Sequence, residues 1–257
     1  MRGSFVFGRS EMNYRKYEEM LNRVMKKCPL ESGVQTLVFM YLDELFENCI
    51  GYEPVIIDNL QKSQKSQRYR TLGGYTDIMV VNSDFEYNDL KADPDIKLFF
   101  EVKALENNLS DHFFQFLGQM LTVGKGYFTN GKIWEYYELD FNNKEMVKVK
   151  EDYKEYINAK NELNKAKDET KNKIAEDTQQ FNEKIKQLNK KIKQLNEKIQ
   201  QHFKDNKSVK EWFDKPLKSF ELVKNTNKDI EVDPNEFLRM TEHFCEQIRK
   251  LNDAEGE

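Results

Sequence analysis

The sequence predicts an α/β domain followed by a long helical arm, and three observations carry that prediction. Hydrophobic patterning runs helix, helix, strand, strand pair, helix, strand over the first half of the chain, an α/β order. Two apolar segments, 73–81 and 97–104, read as strands that end in charge. Further on, Lys-Ile-Lys-Gln-Leu-Asn occurs at 184–189 and again at 191–196, a seven-residue repeat in a stretch without glycine or proline.

Residues 14–28 form the first predicted helix, with Tyr17, Met20, Leu21, Val24 and Met25 along one face. Cys28-Pro29 interrupts it, and a second helix carries Val34, Leu37, Val38, Tyr41, Leu42, Leu45 and Phe46 to an end near Gly51. Glu53–Asp58 reads as a strand, and 61–70 as a polar, basic loop or exposed strand edge. The strand pair at 74–82 and 97–104 is joined by an acidic connector. A helix at 110–123 then leads through 124–131, where Thr129-Asn130-Gly131 reads as a turn, to a strand at 133–139 with Trp134 in the core.

From about 151 Lys, Glu, Asn and Gln dominate. Ile185, Ile192 and Ile199 fall at a positions and Leu188 and Leu195 at d, with Phe181 and Ile174 continuing the d series backward. Ile at a with Leu at d favours two parallel helices. Tyr156, Ala159, Leu163 and Ala166 follow a frame offset by one residue, so one interrupted helix and a hairpin of two both fit. A coiled-coil arm is expected at 151–205, pairing with itself, a second copy or a partner protein. The remaining segment, 206–257, is expected to be small and helical, with Asp233-Pro-Asn-Glu236 as a capping box before an apolar stripe from Phe237 to Leu251.

Composition narrows the function. The 257 residues carry 41 basic and 45 acidic side chains, a net charge of −4, so bulk attraction to a polyanion is excluded. Any nucleic-acid affinity must come from a local groove and a bound metal. Cys28, Cys49 and Cys245 lie far apart without Cys-x-x-Cys spacing, which fits reduced thiols of a cytoplasmic protein. Neither a membrane-spanning apolar run nor a secretory leader is present in the sequence. Met1-Arg-Gly-Ser resembles an expression-vector start, so residues 1–11 receive no functional weight.

The chemistry lies in Asp77, Glu101 and Lys103. A strand alternates its faces with period two, so Glu101 and Lys103 point one way and Val102 the other. Two carboxylates converging from adjacent strands suit Mg²⁺ or Mn²⁺, hard cations that prefer oxygen ligands. Asp77 and Glu101 would each give an oxygen, the Val102 carbonyl a third, and Lys103 would orient water and stabilise charge on a phosphate. An exposed Glu/Lys pair is otherwise an ordinary solvated face.

Four stretches, in order, resemble the PD-(D/E)xK nuclease superfamily, in particular the N-terminal nuclease domain of type I restriction enzyme motor subunits. Glu31 opens a helix running through Gln35, Leu37, Leu42 and Leu45 to Gly51-Tyr52. Gly74-Tyr-Thr-Asp77 resembles the metal-binding acid at its strand start, and Phe100-Glu-Val-Lys103 the Glu-x-Lys strand. Gln119-Met-Leu, Tyr127-Phe-Thr-Asn-Gly131 and Trp134-Glu-Tyr-Tyr137 are similar to the family's Gln helix and its Thr-Asn-Gly-x-x-Trp strand. Together these cover about 14–140.

The resemblance implies a restriction-endonuclease-like mixed sheet flanked by helices over 12–150, and a Mg²⁺-dependent (or Mn²⁺-dependent) endonuclease acting on DNA in restriction or anti-phage defence. It implies that Asp77, Glu101 and the Val102 carbonyl bind metal, that Glu31 completes the acid cluster, and that Lys103 assists the water. Gln115 or Gln119, one helical turn apart, would position the nucleic-acid backbone, and Lys62, Lys65, Arg68 and Arg70 would touch phosphates. Thr76 stands where the family usually has proline, and Val123 where a tyrosine commonly follows the glutamine. No Gly-x-x-x-x-Gly-Lys-Ser/Thr loop occurs, so the chain is read as a stand-alone domain, a fragment or an accessory protein and not as a translocating motor. The rival readings are a nuclease-fold binding module that no longer cuts and a coiled-coil scaffold.

Overall fold

Apolar residues at period two, flanked by apolar helices, build a layered α/β unit in the computed structural model, which describes residues 13–47, 51–57, 68–86, 96–171, 178–205, 207–225 and 229–254. The chain divides into two compact units, Met1–Glu138 with Pro216–Glu257, and Leu139–Lys215.

In the first unit, helix α1 (Tyr14–Lys27) starts at Asn13, whose side chain accepts from the backbone N–H groups of Arg15 and Lys16 at 3.0 and 3.1 Å. Helix α2 (Glu31–Phe46) follows, then β1 (Tyr52–Ile56), β2 (Ile78–Asn82) and β3 (Leu98–Val102). A 3₁₀ turn at Leu109–His112 leads into α3 (Phe113–Val123), β4 (Lys125–Thr129) and β5 (Ile133–Glu138). Strand β6 (Lys218–Glu221), β7 (Val223–Asn225), β8 (Glu231–Val232) and helix α7 (Pro234–Ala254) come from the far end of the chain.

The main sheet has the order β1-β2-β3-β4-β5-β6, with β3 and β4 parallel and every other neighbouring pair antiparallel. It is therefore mixed, and the crossover between its parallel strands is made by α3. One face, carrying Ile78, Val80, Phe100, Val102, Tyr127 and Trp134, packs on the apolar stripes of α1, α2 and α7. Phe100 stacks on Tyr127 at 5.1 Å, and Phe244 of α7 lies 4.3 Å from the same tyrosine, ring centre to ring centre. Burying each such side chain contributes roughly 1.5–3 kcal/mol relative to exposure. On the opposite face Phe116 of α3 stacks on Phe128 at 4.7 Å and packs against Phe99.

Two expectations need correction in this unit. Strand β4 occupies a segment that sequence patterning left between a helix and a turn, because glycines at 124 and 126 mask the strand signal. Gly126 is required there: a Cβ would meet the Phe99 ring at 2.4 Å. The C-terminal segment is also not purely helical. Strand β6 pairs with β5, placing Phe220 opposite Trp134 in the core, so this segment completes the sheet. Of the expected capping box only the first half forms: Asp233 Oδ1 accepts from Asn235 N–H at 2.9 Å, but the Asp233 N–H donates to the Leu222 carbonyl and the Glu236 carboxylate pairs with Arg239.

The second unit contains α4 (Lys144–Lys171), α5 (Thr178–Asp205) and α6 (Lys207–Asp214). Its first helix begins before the expected 151, just after the Asn143 side chain accepts from Glu145 N–H at 3.0 Å. Helices α4 and α5 run antiparallel. Leu163 and Ala166 pack with Leu188, Glu155 pairs with Lys191 at 2.9 Å, and Asp152 pairs with Lys198 at 2.7 Å. The Ile/Leu seam of α5 is thus covered by α4 of the same chain, the hairpin alternative, and not by a parallel second helix. Ile174 and the side chain of Phe181, the backward extension of that seam, lie outside the described residues.

Candidate metal and phosphodiester site

Strand alternation brings Asp77, Glu101 and Lys103 to one place. Asp77 precedes β2 on the face of Met79 and Val81, and Glu101, the penultimate residue of β3, lies on the face of Phe99, the side that α3 covers. The three side chains are buried, with 6, 2 and 4 % of their residues exposed. Charged groups persist at such burial only when paired and hydrogen-bonded.

Asp77 Oδ2 accepts from the backbone N–H of Val102 at 2.6 Å, tying the acid to the neighbouring strand. Its backbone carbonyl accepts from Ile57 N–H at 3.0 Å and from Gln35 Nε2 at 3.3 Å. Glu101 is surrounded by donors. Lys103 Nζ reaches Oε1 at 2.6 Å, Gln115 Nε2 reaches Oε1 at 2.8 Å, and Gln119 Nε2 reaches Oε2 at 2.5 Å. Gln119 also donates to the Tyr75 carbonyl at 3.1 Å, while its own Oε1 is buried without a hydrogen-bond partner. Lys103 Nζ lies 3.6 Å from Glu31 Oε2, and its backbone N–H donates to the Thr129 carbonyl at 2.8 Å.

Local sequence explains these placements. Gln115 and Gln119 lie on the same face of α3 because they are four residues apart. Thr129-Asn130-Gly131 forms the expected turn, with Asn130 Oδ1 accepting from the N–H groups of Lys132 and Ile133 at 3.1 and 3.0 Å. The turn Thr71–Gly74 is pressed onto α3: Leu72 N–H donates to Thr122 Oγ1 at 2.9 Å, and a Cβ on Gly73 would stand 2.2 Å from the Gln115 carbonyl. Gln35, Gly73 and the Tyr75 carbonyl are parts of the site that sequence reasoning did not assign; Gln35, four residues after Glu31 on one helix face, was the one with a readable signal.

The electrostatics follow from burial. Burial, with the charge of Glu101 added, pushes the Asp77 carboxyl up to about 8, against the pull of the Val102 N–H and Lys103. Burial raises Glu101 as well, against Lys103 and Gln119. Burial alone would lower Lys103, but Glu101, with Asp77 and Glu31 behind it, holds its ammonium above the ordinary lysine value. Without a cation the second buried acid, Asp77, keeps its proton below about 8; a bound cation would favour its ionised form.

The donor types fit a hard cation: two carboxylates from adjacent strands and a buried amide oxygen without a partner. Among the described residues no group of three or more His, Cys, Asp or Glu is arranged to hold a metal, so further oxygens would come from backbone, amide or water. Glu31 lies beside these acids: its Oε2 is 3.6 Å from the Lys103 ammonium, and its charge adds to the upward push on Asp77 and Glu101. Gln119 is fully buried and bound to Glu101 and Tyr75, which orients the acid and leaves it no face for nucleic acid; Gln115 is exposed. Arg68 lies over the Tyr69 ring at 5.4 Å, Arg70 is exposed, and Lys62 and Lys65 lie outside the described residues. None of the three histidines joins this site, although His202 and His243 have long-range partners, Asp152 at 2.7 Å and Tyr127 at 2.9 Å.

Among the described residues no helix is long and apolar enough to cross a membrane. Comparison with family models, with curated proteins and with solved structures gave no match to this chain, so what the site does has to be read from its geometry.

Proposed function

We propose that this chain is a Mg²⁺- or Mn²⁺-dependent endonuclease that hydrolyses DNA phosphodiester bonds, with a restriction-endonuclease-like domain of PD-(D/E)xK type, in cytoplasmic restriction or anti-phage defence. The observation that carries this reading is the convergence of Asp77, Glu101 and Lys103 on one sheet face, with Gln115 and Gln119 donating to both oxygens of Glu101. A structural salt bridge needs one acid; here a second buried acid is kept beside it at an energetic cost.

Asp77 and Glu101 would hold the cation, which when bound polarises a phosphodiester oxygen and lowers the pKa of its water. Gln119, anchored on the Tyr75 carbonyl, fixes the plane of the Glu101 carboxylate. Lys103, kept protonated by its acidic neighbours, presents N–H donors where negative charge accumulates on the phosphorus oxygens. Gln115 and Arg70 are exposed and suit contacts to the nucleic-acid backbone. The helical arm is the part suited to engage a second copy or a partner protein, through its polar outer faces, since its apolar seam is already covered.

A plasmid-nicking assay tests the proposal. Wild type with Mg²⁺ or Mn²⁺ is expected to cut, and EDTA, Asp77→Ala and Lys103→Ala each to abolish cutting. Absence of metal-dependent cutting of double-stranded DNA, single-stranded DNA and RNA by the wild type would sink it.

A further inference from the structure

Glu101 accepts from three donors, and they differ in how freely they can leave. Gln119 is fully buried and anchored a second time on the Tyr75 carbonyl. Gln115 is exposed and neutral, so its departure changes no charge. Lys103 is the charged donor, 2.6 Å from Oε1. An ammonium and a divalent cation repel each other and compete for one carboxylate oxygen, so a cation that takes Glu101 Oε1 displaces Lys103 from it. Yet Lys103 is 4 % exposed and cannot be left without an anion.

Glu31 supplies that anion. Its Oε2 stands 3.6 Å from Lys103 Nζ, about 1 Å beyond a charge-assisted hydrogen bond. Its side chain is half-exposed, and it sits in the first turn of α2, where the helix dipole favours a carboxylate. We propose that Glu31 is the acceptor to which the Lys103 ammonium transfers when Glu101 takes a divalent cation, which makes Lys103 and that cation alternative occupants of one carboxylate oxygen. Glu31 is then a positioning residue that acts through Lys103 and not a metal ligand. This rests on the reading of Asp77 and Glu101 as a cation site.

Mn²⁺ titration calorimetry on the full chain tests it as a double-mutant cycle of wild type, Glu31→Gln, Lys103→Met and the double variant. Lys103→Met is expected to bind Mn²⁺ about 10-fold more tightly, because its competitor is gone, and Glu31→Gln about 10-fold more weakly. In the Lys103→Met background Glu31→Gln is expected to change affinity by no more than about 2-fold. Equal weakening by Glu31→Gln in both backgrounds would make Glu31 a direct ligand and overturn the proposal, as would unchanged or weaker binding by Lys103→Met. If Lys103→Met does not fold by circular dichroism, Lys103→Gln takes its place in the same cycle. A wild type that binds no Mn²⁺, with Asp77→Asn indistinguishable from it, overturns the cation reading itself and this proposal with it.

Discussion

Gln119 and Glu101 form an amide–carboxylate pair, Nε2 to Oε2 at 2.5 Å, that links α3 to β3 beneath the surface. The second amide hydrogen goes to Tyr75, so one side chain joins the acid to the turn preceding Asp77. Gln119→Leu removes both bonds and leaves two buried acceptors short of a donor. The expected cost is roughly 2–4 kcal/mol in urea denaturation, with cutting reduced at least about 10-fold. Gln115→Ala, at an exposed position, should cost less than about 1 kcal/mol in the same measurement.

Asp77 makes the stability of the protein depend on pH in an unusual direction. Its carboxyl is raised from 3.8 to about 8, so between those values the folded chain keeps a proton that the unfolded chain has lost. Stability therefore falls as pH rises through this window and levels off above about 8. Asp77→Asn keeps an acceptor for the Val102 N–H and removes the titration. Without divalent ions the variant should gain on wild type from pH 4 upward, reaching on the order of 2–4 kcal/mol near pH 8 in chemical denaturation.

His243 should act in the opposite sense. Burial pulls its imidazole below 6.5, with Glu246 opposing and Lys218 and Lys250 adding to the effect. Its ring nitrogens lie 2.9 Å from the Tyr127 hydroxyl and 3.2 Å from Gln247 Nε2. Below pH 6.5 the unfolded chain takes up a proton that the folded chain resists, so stability is lost as pH falls from there towards the folded value. A His243→Gln variant should start less stable at pH 8 and show a shallower loss of melting temperature between pH 7 and 5.

Gly73→Ala tests the fit of the Thr71–Gly74 turn on α3. The new methyl carbon would stand 2.2 Å from the Gln115 carbonyl and 2.7 Å from Gln119 N, both backbone atoms. The turn must move away, at a cost of roughly 1–3 kcal/mol. Mn²⁺ affinity should fall as Tyr75 and Gln119 separate, with the far-ultraviolet circular dichroism spectrum retained.

In the arm, Leu188→Asp places a charge against Leu163 and Ala166. Limited proteolysis should then cut within 144–205 at protease concentrations that leave wild type intact.

Much of the site was legible in the sequence because it is built from local regularities. Period two put Glu101 and Lys103 on one face, and a four-residue step put Gln115 with Gln119. What was not legible depends on partners distant in the chain. Strand β6 is a short, polar-looking Lys-Ser-Phe-Glu whose identity comes from pairing with β5. Strand β4 is hidden by a glycine that the Phe99 ring demands. That Glu31 comes within 3.6 Å of the Lys103 ammonium depends on how α2 packs beside β3, which residue type does not encode. The heptad seam likewise identified what is buried in α5 without saying which helix buries it.

The pairing of Tyr136 with Lys218, reinforced by the Leu217 N–H donating to the Tyr136 carbonyl at 2.8 Å, gives the helical arm a simple topological status. Strands β5 and β6 are antiparallel neighbours, a connection that ordinarily takes two to five residues. All of Leu139–Lys215 occupies the place of that one loop. Chain exit and re-entry lie at the paired ends of β5 and β6, so the helical unit is an insertion in a hairpin and gives no strand to the sheet of the domain that bears Asp77 and Glu101.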